Sequence, residues 1–373
     1  MTNPAYAPDL RATSAAFVIH GRYVSGAPHG SGHINDTYAV QFDQAGVRVR
    51  YLLQRINHRI FKDVPGLMEN IRRVCDHSQT RVSTGSGPMD SRRSLVLLPT
   101  RDGQACHRDD AGSWWRCFLF IEGARTHDVI ESPAQAREGA RAFGAFQALL
   151  ADLPGRRLNE TIPHFHHTRR RFDVLRAAID ADPRNRAARA RAEIGFALGQ
   201  ERIVDVLLDL QARGEIPERV THNDTKLNNV MIDDRTGEGL CVVDLDTVMP
   251  GLALYDFGDM VRSATNAAAE DDPDPARVQA RLPVFAALVE GYLATAGAFL
   301  NAAERAHLVF AGRLITYEIG IRFLTDFLEG DVYFKTRNPE HNLDRARNQF
   351  ALVHSLEAQQ SVMESIVHGH PLP

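Results

Sequence analysis

Thr221-His-Asn-Asp-Thr-Lys-Leu-Asn-Asn-Val-Met-Ile-Asp233, a turn carrying Gly237, and then Leu240-Cys-Val-Val-Asp-Leu-Asp246 is the stretch that decides the reading of this chain. Asp224 stands two residues after His222 and five before Asn229, and the apolar strand that follows closes on Asp244. Such short spacing holds a carboxylate, an amide and a second carboxylate near one another without help from distant parts of the chain. His-x-Asp alone recurs by chance. The same triplet followed by Asn-Val after four residues, and then by an apolar strand ending in Asp-x-Asp, is rare. The competing reading is a capped turn between two ordinary strands.

These residue types fit phosphoryl transfer. A carboxylate within reach of a hydroxyl takes its proton, which assigns Asp224 as base, and Asn and Asp oxygens hold Mg²⁺ against nucleotide phosphates, which assigns Asn229 and Asp244 as ligands. In an extended segment Asp244 and Asp246 share a face. Asp246 is then a group supporting the metal ligands from behind, a partner of a second metal, or a turn former before Thr-Val-Met-Pro-Gly. His222 is read as structural, orienting the loop backbone or Asp244, and Asp256 and Asp259 as caps of a helix.

Every basic side chain among the 43 is Arg except Lys62, Lys226 and Lys335, so a Lys stands out. A compact ammonium suits a phosphate oxygen in a tight loop where a planar guanidinium does not fit. Lys226, two residues after Asp224, is therefore expected to touch the transferring group. Lys62 and Lys335 carry no such context.

The 373 residues suit two unequal domains, and 44% hydrophobic with 24% charged residues is the composition of an ordinary globular protein. A net charge of −4 without long basic runs speaks against a nucleic-acid partner. No signal-like or membrane-length apolar run is present, so a cytoplasmic protein without a membrane partner is expected. Cys75, Cys106, Cys117 and Cys241 lie far apart without metal-type spacing and are expected to be reduced.

The first ~120 residues alternate in the manner of strands. Tyr38–Phe42 and Val47–Arg55 flank an Asp-Gln-Ala-Gly turn, and Arg93–Thr100 and Trp114–Ile121 form a second group. Between them Leu67, Ile71 and Val74 follow helical spacing, and a Ser-Thr-Gly-Ser-Gly-Pro run at 83–88 is read as a linker. Beyond Gly123 the pattern turns helical over 133–151, 168–181, 185–212, 275–300, 302–328 and 341–366. The expected fold is α+β and bilobal: a β-rich nucleotide-binding lobe at 1–122 and a helical catalytic and substrate-binding lobe at 123–373.

On the nucleotide side, Gly30, Ser31 and Gly32 would let backbone N–H groups approach phosphates. Arg55 shares the apolar face of its strand and is the candidate phosphate cation, with Gln54 pointing away. Glu69 either pairs with that cation or complements its helix dipole. Glu122, at the junction, is a candidate contact for adenine. His164, His166 and His167 resemble a metal cluster but have no matching ligands, and a surface loop fits them better. Arg322 and Asp326 lie one helical turn apart, as a buried ion pair or as a substrate wall.

Taken together, Gly-Ser-Gly-His-Ile-Asn-Asp-Thr-Tyr at 30–38, Leu-Leu-Gln-Arg-Ile-Asn at 52–57, Gly-Leu-Met-Glu-Asn-Ile at 66–71, the 222–231 and 243–251 motifs and Arg-Phe-Leu-Thr-Asp at 322–326 resemble the aminoglycoside phosphotransferase and choline kinase family, relatives of protein kinases. The longer matches resemble its sugar-kinase branch. The resemblance implies a protein kinase-like fold and ATP- and Mg²⁺-dependent phosphorylation of a small-molecule sugar, at the anomeric hydroxyl of an N-acetylhexosamine. It implies Asp224 as base and Asn229 and Asp244 as metal ligands. His33, Asn35 and Asp36 join Arg322 and Asp326 as candidate sugar contacts. Where many members of the family carry Lys, this chain has Gln54-Arg55, which leaves open which of the two touches phosphate. Rival readings are a kinase of the same fold acting on an aminoglycoside, choline-like or other small alcohol, and a nucleotide sensor without catalysis.

Overall fold

The computed structural model describes residues 8–30, 34–84 and 90–370. They fold into two compact units: Met1–Ala124 with Asp152–Ile162 and Leu240–Val248, and Arg125–Ala151 with Pro163–Gly239 and Met249–Pro373.

In the first unit a short helix α1 (Leu10–Ser14) precedes strands β1 (Arg22–Pro28), β2 (Asp36–Gln44) and β3 (Val47–Ile56), helix α2 (Val64–Thr84), and strands β4 (Leu97–Leu98), β5 (His107–Arg108) and β6 (Trp114–Leu119). The strands form one antiparallel sheet in the order β1-β2-β3-β6-β4, with β5 also pairing β6. The β2–β3 hairpin turns on Ala45 and Gly46, both at positive φ (52° and 88°). That is the backbone a two-residue hairpin with right-handed strand twist requires. Alternation then places Val40 and Phe42, Tyr51 and Leu53, and Trp115 and Cys117 together on one buried face.

α2 begins under an Asp63 cap, whose carboxylate accepts the Gly66 N–H at 3.0 Å, and buries Leu67, Ile71 and Val74 as their spacing predicts. Asn70, also buried, donates to the carbonyls of Asn159 and Val248 and accepts the Asn159 N–H. One amide thus ties both returning segments, 152–162 and 240–248, to this helix. The expected strand at 93–100 shrinks to Leu97–Leu98. Asp90 captures the Arg92 N–H and closes a 3₁₀ turn at Ser91–Arg93, and the Thr100 hydroxyl bonds Asp102 and Gln104. The expected linker at 83–88 lies largely outside the described residues, and its first two residues end α2.

Strand β7 (Ala124–Arg125) leads into the second unit: α3 (Pro133–Leu150), α4 (Thr168–Ala181), α5 (Arg191–Gly199), α6 (Val206–Ala212), β8 (Arg219–Thr221), β9 (Val230–Asp233), β10 (Gly239–Val242), which returns the chain to the first unit, and β11 (Met249–Gly251). Helices α7 (Ala253–Thr265), α8 (Leu282–Ala296), α9 (Ala302–Ala306), α10 (Leu308–Glu329), α11 (His341–Ala358) and α12 (Gln360–His368) follow. The expected long helix at 185–212 is broken. Asp182 and Asn185 adopt left-handed φ after α4, and 3₁₀ turns flank α5. No described helix is long and apolar enough to cross a membrane, and all four cysteines are free thiols.

α10 is buried on nearly every side, so it carries side chains from the core toward the site described below. α3 and α8 touch backbone to backbone: a Cβ at Gly291 would lie 2.1 Å from the Arg137 carbonyl oxygen. Gly291→Ala should therefore push the helices apart and cost about 1–3 kcal/mol, read as a lowered midpoint in urea unfolding.

Candidate active site

The loop between β8 and β9 is held by one buried carboxylate. β8 pairs with β11, Thr221 opposite Met249, and stops where Asn223 takes a left-handed φ of 64°. Asp256, in the first turn of α7, accepts the His222 N–H on one oxygen (2.9 Å) and the Asn223 N–H on the other (2.7 Å). Gln147 of α3 donates to the same carboxylate at 2.6 Å, and the Thr225 hydroxyl donates to the Asp256 carbonyl. Asp256 is thus a loop anchor and not the helix cap its position suggests. The sequence signal was an Asp inside an apolar helix, which must find donors once buried.

His222 lies against the edges of Phe143 and Phe146, fully buried, and its Nδ1 accepts the Asp224 N–H at 3.3 Å. It orients the loop backbone, as its expected structural role requires. Asp224 projects beyond this framework, partly exposed. Its Oδ1 lies 3.1 Å from the Lys226 ammonium and its Oδ2 accepts from the Asn229 amide at 3.2 Å. Burial is the largest single influence and opposes ionisation of Asp224, but the charge and hydrogen bond of Lys226, with His222 and Arg262, together outweigh it and hold the carboxyl below the usual carboxylate range. Asp224 in turn raises the Lys226 pKa against burial. Arg262, also buried, pairs with Asp259 and Glu270 in the same unit.

The Asn229 amide nitrogen is spent on Asp224, on both the carbonyl (2.9 Å) and the side chain. This leaves the amide's Oδ1, a hard oxygen of the kind Mg²⁺ selects. Asp244, in the first unit, is exposed and sits at a left-handed φ of 58°, so the chain leaves the extended form there. Asp246 follows in a 3₁₀ turn, and the two carboxylates do not share a face. Asp246 is buried, with Oδ1 on Arg116 and Oδ2 accepting from Asn35 at 2.5 Å. Both its oxygens are engaged by the protein, which corrects its reading as a metal partner. Asn229, in the second unit, and Asp244, in the first, each carry oxygen of the type Mg²⁺ takes.

Arg116 is the residue sequence reasoning missed. It is fully buried on β6, donates through Nε to Gln54 Oε1 (2.9 Å), and lies opposite Gln54 in the β3–β6 register. Gln54 therefore lies on the face that carries Asp246. Arg55 points to the other face, where it pairs with Asp36 (2.5 Å) near Trp115. The expected Arg55–Glu69 pair does not form: Glu69 pairs with Arg156 and Asn159. Nearer partners of opposite charge, Asp36 for Arg55 and Arg156 for Glu69, decided both. Asn35 is spent on Asp246 and the Asn57 N–H, so the structure makes Asn35 and Asp36 framework groups. Glu122 pairs with Arg50, whose guanidinium lies 3.8 Å over Phe120. Gly30 has a positive φ of 75° and open space around it, while Ser31, Gly32 and His33 lie outside the described residues.

In the second unit the histidine run forms a turn with His164 exposed, as expected of a surface loop, but not all of it faces solvent. His166 is buried between Glu318 and the Asn223 carbonyl, and His167 caps α4. Arg322 and Asp326 do not pair. Asp326 accepts the N–H groups of Val332, Tyr333 and Phe334 and the Asn342 amide, fixing the loop after α10 and leaving no free oxygen for a substrate. Arg322 instead lies among Phe165, Tyr333 and Phe334 at 5.1–5.9 Å.

Residues 25–296 match the phosphotransferase enzyme family. The chain belongs to this family. Its kinase-like fold, an antiparallel sheet unit and a helical unit, is shared by an aminoglycoside phosphotransferase from Alicyclobacillus acidocaldarius (TM-score 0.64, 12% identity, 98% of each chain covered). It is also shared by a spectinomycin phosphotransferase in complex with ADP and spectinomycin (0.55, 11%, 96% of this chain and 99% of that one). An ethanolamine kinase from Plasmodium vivax aligns at 0.50 and 14%, covering 86% of this chain and 80% of that one. Family members place small-molecule phosphoryl transfer on this fold.

The Arg116–Asp246 pair gives a direct test of the first unit. Arg116→Met leaves Asp246 buried without its cation and should cost about 3–5 kcal/mol. The double variant with Asp246→Leu should recover most of that loss. Both tryptophans, Trp114 and Trp115, lie on β6, so their fluorescence during urea unfolding reports this unit.

Proposed function

We propose that this phosphotransferase is an ATP- and Mg²⁺-dependent sugar kinase, with the anomeric hydroxyl of an N-acetylhexosamine as its acceptor. Asp224, ionised and held at the tip of a fixed loop, takes up the proton of the acceptor hydroxyl. Lys226 stabilises the group in transfer. Asn229 and Asp244 hold the metal, and Mg²⁺ when bound neutralises charge on the phosphate oxygens. The ADP in the spectinomycin phosphotransferase supports a nucleotide donor.

The observation that carries the acceptor class is the state of the charges near α10. Aminoglycosides and ethanolamine are cations and ask for an acidic wall. Of the four acidic residues available there, Glu318 is buried on His166 and Thr168, Asp326 is saturated by backbone N–H groups, and Asp331 pairs with Arg186 and Asn342. Only Glu329 is exposed. Arg322 has no ion-pair partner among the described residues and sits among three aromatic rings. A guanidinium donor set beside apolar rings suits an uncharged polyol with an amide oxygen.

The test is ADP release with Mg·ATP over GlcNAc, GalNAc, other hexoses, choline and an aminoglycoside, with ³¹P NMR of the product. Turnover of an N-acetylhexosamine with an anomeric phosphate signal is expected. Asp224→Asn should lower kcat by about a thousandfold or more while sparing the affinity for ATP. Preferred turnover of choline or the aminoglycoside would overturn the acceptor, and undiminished turnover by Asp224→Asn would overturn the base.

A further inference from the structure

Three helices meet behind the loop that carries Asp224, in one buried chain of hydrogen bonds. The Tyr292 hydroxyl of α8 donates to Gln147 Oε1 of α3 at 2.5 Å, and the Gln147 nitrogen donates to Asp256 Oδ2 of α7 at 2.6 Å. That same Oδ2 accepts the His222 N–H. All three side chains are buried. The packing of α3 brings them together. Gly144, one turn before Gln147, lets α8 approach: a Cβ there would lie 2.9 Å from the Tyr292 carbonyl oxygen. Phe143 and Phe146, on the same face of α3 as Gln147, set their edges against the His222 ring.

The supply of protons fixes the direction of this chain. A carboxamide has nearly the same shape either way round, with a donor at one end and an acceptor at the other. Each Asp256 oxygen already accepts a backbone N–H, from His222 on Oδ2 and from Asn223 on Oδ1, so the amide nitrogen is the end that suits it. Turned round, the amide would require a proton on Asp256 and would leave the phenol nowhere to donate. Gln147 is the one hydrogen-bond partner of that hydroxyl among the described residues. Burial raises the Tyr292 pKa well above its usual value, so the phenol keeps its proton. The orientation seen gives every proton an acceptor.

We propose that Gln147 and Tyr292 are positioning residues for Asp224, acting through Asp256. The functional half of this proposal rests on the reading of Asp224 as base. A carboxyl group turns easily about its Cβ–Cγ bond, and the two N–H groups it accepts belong to the loop it must hold. Gln147 grips it from a helix outside that loop and fixes its plane. Tyr292 in turn fixes which end of Gln147 faces Asp256. Without the phenol the amide is free to bring its oxygen to Oδ2, where two acceptors meet. The carboxyl then rotates away, and the His222 and Asn223 peptides that lead to Asp224 follow it.

The experiment joins kinetics, urea unfolding and hydrogen exchange of the Gln147 side-chain amide in the full chain. In Tyr292→Phe the amide proton on Asp256 should exchange faster by about tenfold or more than in the wild type. With Mg·ATP and the acceptor of the panel above that turns over fastest, kcat should fall about tenfold and KM for ATP should stay within about twofold. Gln147→Leu should lower kcat by about a hundredfold and lower the unfolding midpoint, because it strands the phenol without a partner. Adding Tyr292→Phe removes the stranded group. The midpoint should then rise, while kcat stays within about twofold of Gln147→Leu alone. A purely structural pair would regain turnover together with stability. Recovery of kcat in the double variant, wild-type kcat in Tyr292→Phe, or unchanged exchange of the amide proton would each overturn the proposal. A wild type that turns over no acceptor would overturn the functional half together with the base reading. The amide signal needs no acceptor and would still decide whether Tyr292 fixes Gln147.

Discussion

The Asp256 carboxylate on the N–H groups of His222 and Asn223 is the constraint on which the functional loop depends. A left-handed residue such as Asn223 persists only where its surroundings fix it. Here the fixing group is a buried carboxyl in the first turn of α7, whose pKa burial pushes up while the helix dipole and its donors favour the charged form. Its hydrogen bonds are charge-assisted and therefore stronger than neutral ones. Gln147 completes its donors, and the Thr225 hydroxyl ties the following residue to the same helix. Asp224 and Asn229 then need no long-range contacts of their own.

The first unit repeats this logic. Asp246 is buried and would be costly alone, and Arg116 and Asn35 occupy both its oxygens. The turn that follows β10 is thereby fixed, and Asp244 is left exposed at a strained backbone position. In both units a buried carboxylate holds the loop and a neighbouring carboxylate is more exposed.

The fold was legible where one local pattern decided it. The β2–β3 hairpin, the apolar stripe of α2 and the extents of α3 and α4 follow from alternation, helical spacing and turn residues. The 222–229 loop was legible because its chemistry is compressed into eight residues. What escaped were partnerships between distant residues. Arg116 reads as one polar position in a strand, and only the register beside Gln54 brings it to Asp246. Arg55 follows the apolar alternation, yet Asp36 across the hairpin claims it. His166 sits in a histidine-rich run whose composition suggests solvent, and it is buried because α10 brings Glu318 to it. Asp326 looked available for a substrate until the loop after α10 turned its N–H groups onto it.

The most direct test of this account is amide hydrogen exchange at His222 and Asn223 in Asp256→Asn against the wild type. One side-chain amide cannot accept both N–H groups through oxygen, since its nitrogen is a donor. The account predicts exchange at these two amides faster by about tenfold or more, with the helices around α10 unchanged. Unaltered protection at both positions would show that something other than Asp256 holds the loop, and would contradict it.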